Sequence, residues 1–339
     1  TAGFWLNGLN SPLGWLSWFE ICDEFLKAKD NPALMRTWVN TRKAETFSYE
    51  YQAKLNAEAL METRSDYLPG TIPESVVCLC LGVDVQGGMG SATSRIEVSC
   101  WGFSPDPSGL AENMHLIDHN IIYGDPNQGE VWSGLDVLLN AEYEHPNGST
   151  MKINGCAVDS GGLATQSVYD YCMKRRSKGV IAIKGSSRSG GPIIGKGSRV
   201  DINYSGRVRK KSGIVYLLNT EDIKDRIFSK IKGTGKIFFH CETTSEYFKE
   251  LTGEYRTQKT NSRGYPVNTY EKKPNQAVEK LDCCVYAYSA YALLTKTAPK
   301  GQFFDICTKN LLNSIKSNKT NVKDAKVNTS KQQSYVTNW

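Results

Sequence analysis

Val76-Val77-Cys78-Leu79-Cys80-Leu81-Gly82-Val83-Asp84 is the stretch on which the fold turns. Eight residues pass without a charge, and then an acid closes the run. The run is far too short to span a membrane and has no polar alternation. It therefore predicts a strand buried on both faces, in the middle of an α/β sheet. In such sheets ligands gather at the carboxyl ends of the strands, and here that end carries Asp84.

Residues 95–103 alternate as a second strand after a Gly/Ser-rich turn, and residues 115–123 make a third. Residues 132–143 have helical spacing, with Trp132, Leu135, Leu138 and Leu139 on one face. Residues 153–158 read as a fourth strand, again ending in an acid, Asp159. A Ser160-Gly161-Gly162 turn, a helix over 165–176 and a fifth strand over 180–183 follow. Three strands in a meander joined to βαβ units predict an α/β fold of the RNase H-like (resolvase/integrase-type) kind, a mixed sheet flanked by helices. Further on, residues 186–213 read as a loop and 214–218 as a strand. Residues 222–231, 245–254 and 278–294 read as helices, the last with Leu281, Val285, Tyr288 and Leu293 on its apolar face.

The organisation expected is one domain over residues 68–295. An aromatic-rich helical segment precedes it over 1–67, and a basic, flexible tail follows over 296–339. The tail holds eight lysines against two acids, an excess equal to the whole formal charge of +6, so the body is neutral. Any DNA-binding surface on the body must come from local clustering. No run of about 18 apolar residues occurs, which argues against a membrane span. Ten cysteines contain no C-x-x-C pair, which argues against structural zinc and for free thiols.

Asp84 and Asp159 thus stand at the ends of two buried strands. An aspartate there can also be only a turn former or helix cap. A third acid, Asp282, lies in the last helix, with Glu279 one turn earlier on the same face. If that helix crosses the sheet beside the first strand, four carboxylates converge and raise one another's pKa. Two Mg²⁺ or Mn²⁺ ions would relieve that repulsion, since hard cations take carboxylate oxygens. The chemistry implied is two-metal phosphodiester hydrolysis, with one ion activating water and the other stabilising the leaving oxygen.

These residues fall within a wider match. The chain resembles the large terminase subunit of lambda-type phages over roughly residues 1–295. The matching stretches include Gly3-Phe4-Trp5-Leu6-Asn7-Gly8-Leu9, Gly82-Val83-Asp84-Val85-Gln86 and Ile122-Tyr123-Gly124-Asp125-Pro126. Ala157 to Gly162, Ala182-Ile183-Lys184-Gly185 and Glu279-Lys280-Leu281-Asp282-Cys283 also fit. The resemblance implies an endonuclease that cuts concatemeric double-stranded DNA during genome packaging in the bacterial host cytoplasm. It implies Asp84, Asp159 and Asp282 as metal ligands, with Glu279 assisting, and the small terminase subunit and portal protein as partners. Asp282 leans on this resemblance more than the other two. In that family an ATPase comes first, so residues 1–67 are expected to be the end of the ATPase and a linker, without ATPase activity.

Gly190-Gly191-Pro192-Ile193-Ile194-Gly195-Lys196-Gly197 has the spacing of a phosphate-binding loop. However, Gly197 stands where Ser or Thr must reach Mg²⁺, which argues against nucleotide binding. The same basic stretch suits DNA phosphates better, through Lys184, Arg188, Lys196, Arg199, Arg207, Arg209, Lys210 and Lys211. The rival readings are a resolvase-like nuclease and a catalytically silent docking module for portal or small subunit.

Overall fold

The opening apolar run forms β1 (Cys78–Gln86), eight of its nine residues buried, in a computed structural model of the chain. The structure describes residues 6–12, 14–29, 32–45, 47, 57–87, 94–107, 111–186, 191–233, 236–260 and 266–313. Because side chains alternate along a strand, β1 feeds two cores at once. Leu79, Leu81, Val83 and Val85 point to one face of the sheet, and Cys78 and Cys80 to the other. Each such fully buried aliphatic side chain is worth roughly 1.5–3 kcal/mol of burial.

β2 (Arg95–Pro105) and β3 (Glu112–Tyr123) continue the meander: β1 pairs antiparallel with β2, and β2 with β3. On the other side of β1, β6 (Gly155–Asp159), β7 (Val180–Gly185) and the end of β9 (Arg207–Leu218) run parallel. With β8 (Ser198–Tyr204) and β10 (Ile237–Phe238), the sheet has eight strands in the order β10-β3-β2-β1-β6-β7-β9-β8. The central order, a three-stranded meander extended by parallel strands, is the RNase H-like arrangement expected. A small hairpin, β4 (Glu142–Glu144) and β5 (Thr150–Lys152), stands apart from the sheet, as does a second one, β11 (Glu254–Thr260) and β12 (Pro266–Lys272).

Before the sheet come α1 (Trp18–Ala28), α2 (Pro32–Trp38) and α3 (Ala57–Met61). Ser17 caps α1 through a full capping box with Glu20. Ala57 and Leu60 of α3 are buried in the core on the Cys78/Cys80 face of the sheet. α4 (Gly129–Leu139) and α5 (Thr165–Lys174) cover one face of the sheet. α6 (Thr220–Lys232), α7 (Ser245–Leu251) and α8 (Glu279–Thr297) cover the other. Residues 303–313 are helical, and Phe303, Phe304 and Cys307 pack against that second core. The rest of the expected tail lies outside the described residues.

Several boundaries differ from expectation. The expected loop at 186–213 is in large part the β8/β9 hairpin at the sheet's edge. Its Arg/Lys/Ser composition hides a two-residue alternation in β8 that turns Val200, Ile202 and Tyr204 toward the core. The helix expected at 132–143 begins at Gly129 and ends at Leu139, with Tyr143 in β4, and the helix expected at 245–254 stops at Leu251 because Gly253 begins the turn into β11. All ten cysteines are free. Among the described residues no helix is long and apolar enough to cross a membrane.

Candidate active site

Strand periodicity aims the site. Gly82 and Asp84 follow Cys78 and Cys80 onto the face covered by α8, and Asp159 follows Ala157 onto the same face. Val83 is in register with Val158 in the parallel pair, so Asp84 and Asp159 are the next neighbours at the strand ends. Adjacent strands lie about 4.8 Å apart, which sets the two carboxylates side by side.

α8 supplies the third acid because β1 lets it come close. A Cβ at Gly82 would lie 1.9 Å from the carbonyl oxygen of Cys283 and 2.4 Å from the amide nitrogen of Ala287. Only a residue without a side chain admits the helix there. Asp282, the residue before that contact, is thereby held beside the strand ends.

The electrostatics follow from the crowding. Burial pushes the Asp84 carboxyl up to about 8, aided by the charges of Asp282, Asp159 and Glu279 and opposed by a hydrogen bond from the Gln86 amide. Asp282 is raised to about 6 by burial and by Glu254, Asp159 and Glu279, while Lys224 pulls it down. Burial also raises Asp159, opposed by the backbone N–H groups of Gly161 and Ser160 and by Lys184. Gly161 N–H donates to Asp159 Oδ1 at 3.1 Å. Among the described residues no cation forms an ion pair with Asp84 or Asp159. The phenol of Tyr286, one helical turn after Asp282, is pushed far up by burial and by the same three aspartates.

Glu279 sits at the first position of α8, and its Oε2 accepts the backbone N–H of Val278 at 2.9 Å. The acids influence one another's charge, yet among the described residues no three His, Cys, Asp or Glu side chains close into a finished ion cage. All-carboxylate donors, rich in negative charge and without a soft ligand, fit a hard divalent cation.

Two neighbours of the site carry no signal in the sequence. Glu97 faces Asp84 across the β1/β2 register and is 1% exposed. Burial opposes its charge, but His119, Lys280 and Arg95 hold it ionised with a pKa of about 2. Lys280 Nζ lies 2.7 Å from Glu97 Oε2 and 3.2 Å from Glu250 Oε2. Glu254, at the start of β11, accepts from Lys224 Nζ at 2.6 Å. The sequence pattern puts Glu254 at the end of a helix, because the hairpin that carries it has no alternation to reveal it.

Of the expected DNA contacts, Lys184, next to last in β7, is exposed and close enough to lower the pKa of Asp159. Lys196, Arg199, Arg207, Lys210 and Lys211 are exposed on or next to the β8/β9 hairpin. Arg209 instead turns inward, 2.8 Å from Asp170 Oδ1 on α5. Arg188 lies outside the described residues. The Gly/Lys spacing before Gly197 leads into β8 rather than a helix, and Ile194 bridges to Leu218, so no helix N-terminus is present to receive a phosphate.

Residues 1–300 match the family described as "Terminase large subunit gpA, endonuclease domain". The chain belongs to that family. Two curated relatives, the terminase large subunits of Enterobacteria phage P21 and of Escherichia phage lambda, are each 28% identical, over 293 and 290 residues. The match covers 81% of this chain but 41% of each relative, so the chain spans about two fifths of their length. One solved structure, "Crystal structure of the large terminase nuclease from thermophilic phage G20c with bound Magnesium", is 10% identical. It covers 69% of this chain and 96% of its own, with a TM-score of 0.37.

Proposed function

We propose that this terminase endonuclease-domain chain cuts double-stranded phage DNA by metal-dependent phosphodiester hydrolysis, acting in the host cytoplasm with the small terminase subunit and portal protein. One observation carries the reading. Three aspartates from β1, β6 and α8 share one end of the sheet, with raised pKa values and, among the described residues, no cation in an ion pair with Asp84 or Asp159. Such an arrangement is costly unless a positive ligand relieves it.

Asp84, Asp159 and Asp282 would hold the metal, with Glu279 beside them; two Mg²⁺ or Mn²⁺ ions are the number such a donor set suits. When bound, the metal supplies Lewis-acid activation of water and of the scissile phosphate. The chain's own residues do the rest. Gln86 orients the Asp84 carboxylate by donating to Oδ2, and the Gly161 amide fixes Asp159. Lys184, next to Asp159, is placed to hold a phosphate oxygen near the cut. The exposed cations of the β8/β9 hairpin would track the backbone without reading sequence. Within the chain, residues 68–295 would be the nuclease unit and 1–67 the end of an ATPase part and its linker, without ATPase activity of their own.

Plasmid nicking in Mn²⁺ tests this, comparing the wild type with Asp84→Ala and Asp159→Ala. Nicking by the wild type and its loss in both variants is the expected result. Undiminished nicking by both variants would remove these aspartates from the chemistry.

A further inference from the structure

α6 and the β11/β12 hairpin are tied together by one buried acid. Asp225, 6% exposed, pairs with Arg256 of β11 and accepts the hydroxyl of Tyr270 of β12 at 2.7 Å. Tyr270 in turn stacks on Phe228 of α6, with centroids 5.5 Å apart. At the hairpin's start a Cβ on Gly253 would lie 2.8 Å from the carbonyl oxygen of Ala277, so the strand enters close against the residues leading into α8. Glu254 is thereby fixed near the first turn of α8, and Lys224, the neighbour of Asp225, reaches between the two. Its Nζ is 2.6 Å from Glu254 Oε2 and 3.7 Å from Asp282 Oδ1. Lys224 and Glu254 are only 12% and 11% exposed, so little water screens them.

We propose that Lys224 is a tethered counter-cation of the carboxylate centre, held by Glu254 and competing with the metal for Asp282. The inference rests on the metal-binding reading of Asp84, Asp159 and Asp282. A lysine is a compact charge on a flexible stem. It sits tightly on Glu254 and loosely on Asp282, so it can withdraw to Glu254 when a divalent ion takes Asp282. Among the described residues no cation stands at ion-pair distance from Asp84 or Asp159, and Lys184, which acts on Asp159 from farther off, is exposed. Lys224 therefore offsets acid repulsion on one side of the centre in the metal-free protein, and it lowers metal affinity by the same charge. Glu254 is the anchor that gives the ammonium somewhere to go.

Calorimetric titration of the whole chain with Mn²⁺ tests this without relying on cleavage. Lys224→Met and Lys224→Gln, each checked for folding by circular dichroism, are expected to bind Mn²⁺ about tenfold tighter than wild type, the scale of one unit charge a few Å away under protein screening. Lys224→Arg should stay near wild type. Glu254→Gln should bind more weakly, because Lys224 then has only Asp282, and adding Lys224→Met should erase that loss. Unchanged or weaker binding by the folded Lys224 variants overturns the proposal, even where wild type binds Mn²⁺ well. A double variant as weak as Glu254→Gln would make Glu254 a ligand and overturn its role as anchor. A wild type that takes up no Mn²⁺ would instead sink the metal reading itself, and this inference with it.

Discussion

Gly82 and Cys283 meet backbone to backbone, with room for no side chain: a Cβ on the first would stand 1.9 Å from the carbonyl oxygen of the second. The contact is structural in form and functional in effect, since it sets how near Asp282 comes to Asp84. Gly82→Ala should push α8 away, at a cost of about 1–3 kcal/mol or more, as overpacked cores show. Urea unfolding checks the stability, and Mn²⁺ calorimetry checks the site. Full-strength metal binding by the alanine variant would show that the approach does not set the site.

The raised carboxyls make a pH prediction with a definite sign. Asp84 rises from its ordinary value to about 8 and Asp282 to about 6, so the folded protein holds protons that the unfolded chain releases. Their favourable contribution is complete below the ordinary carboxyl range and is lost as pH rises through 6 and then 8, at roughly 1.4 kcal/mol for each tenfold gain in proton affinity on folding. The Tm in EDTA should therefore fall between pH 5 and 8. Asp84→Asn should flatten much of that fall, and a Tm that rises across this range in the wild type would refute it.

The same raised carboxyls bear on metal binding. A divalent ion must displace the proton that Asp84 retains at pH 7, so Mn²⁺ affinity should climb with pH until about 8 and then level. Calorimetry in two buffers of different ionisation enthalpy measures the protons released. Release of none at pH 7 would contradict a protonated Asp84.

How much of this is legible in the sequence differs by residue, for physical reasons. Asp84 and Asp159 can be read because each follows directly on an apolar run buried on both faces, a signal that is local and does not depend on other elements, although β1 itself runs on to Gln86. Asp282 emerges mainly through family resemblance, since a helix face does not announce which strand it will cross. Gly82 passes as an ordinary strand residue, because its meaning lies in a contact about 200 positions away. Glu97 looks like one polar residue on an alternating strand, and the side chains that partner it, Arg95, His119 and Lys280, come from β2, β3 and α8. The β8/β9 hairpin reads as a loop because its basic surface masks the alternation, and Arg209 groups with the DNA contacts although it reaches a buried acid. Local patterning decides which strands exist. Side-chain partners across the sheet are decided by tertiary packing.

Glu97 and Lys280 form a buried pair on which the first turn of α8 rests. Lys280→Ala leaves a buried carboxylate short of its partner and should cost about 3–5 kcal/mol in unfolding free energy. Replacing both, as Glu97→Gln with Lys280→Met, should recover much of that loss, because the most deeply buried carboxylate is then gone, although Arg95 and Glu250 each lose a partner. Denaturant unfolding of the two variants makes the comparison. A double variant less stable than Lys280→Ala would show that the pair itself, rather than the stranded charge, is what α8 needs.

The basic hairpin divides into cations that face solvent and one that an acid holds. Arg207 and Lys210 are exposed, while Arg209 is engaged with Asp170, which Lys174 Nζ also approaches at 2.6 Å. If the hairpin lies along DNA, replacing Arg207 and Lys210 together with Ala should weaken binding alike for all sequences. It should also reduce the slope of log affinity against log salt by about 2, near 0.9 for each phosphate no longer neutralised. Arg209→Ala should leave that slope close to wild type and show itself in stability instead. Fluorescence anisotropy on a short duplex across a salt series, in Ca²⁺ to suppress cutting, gives the slopes. A slope unchanged by the double replacement, or reduced as much by Arg209→Ala, would place the DNA on another face.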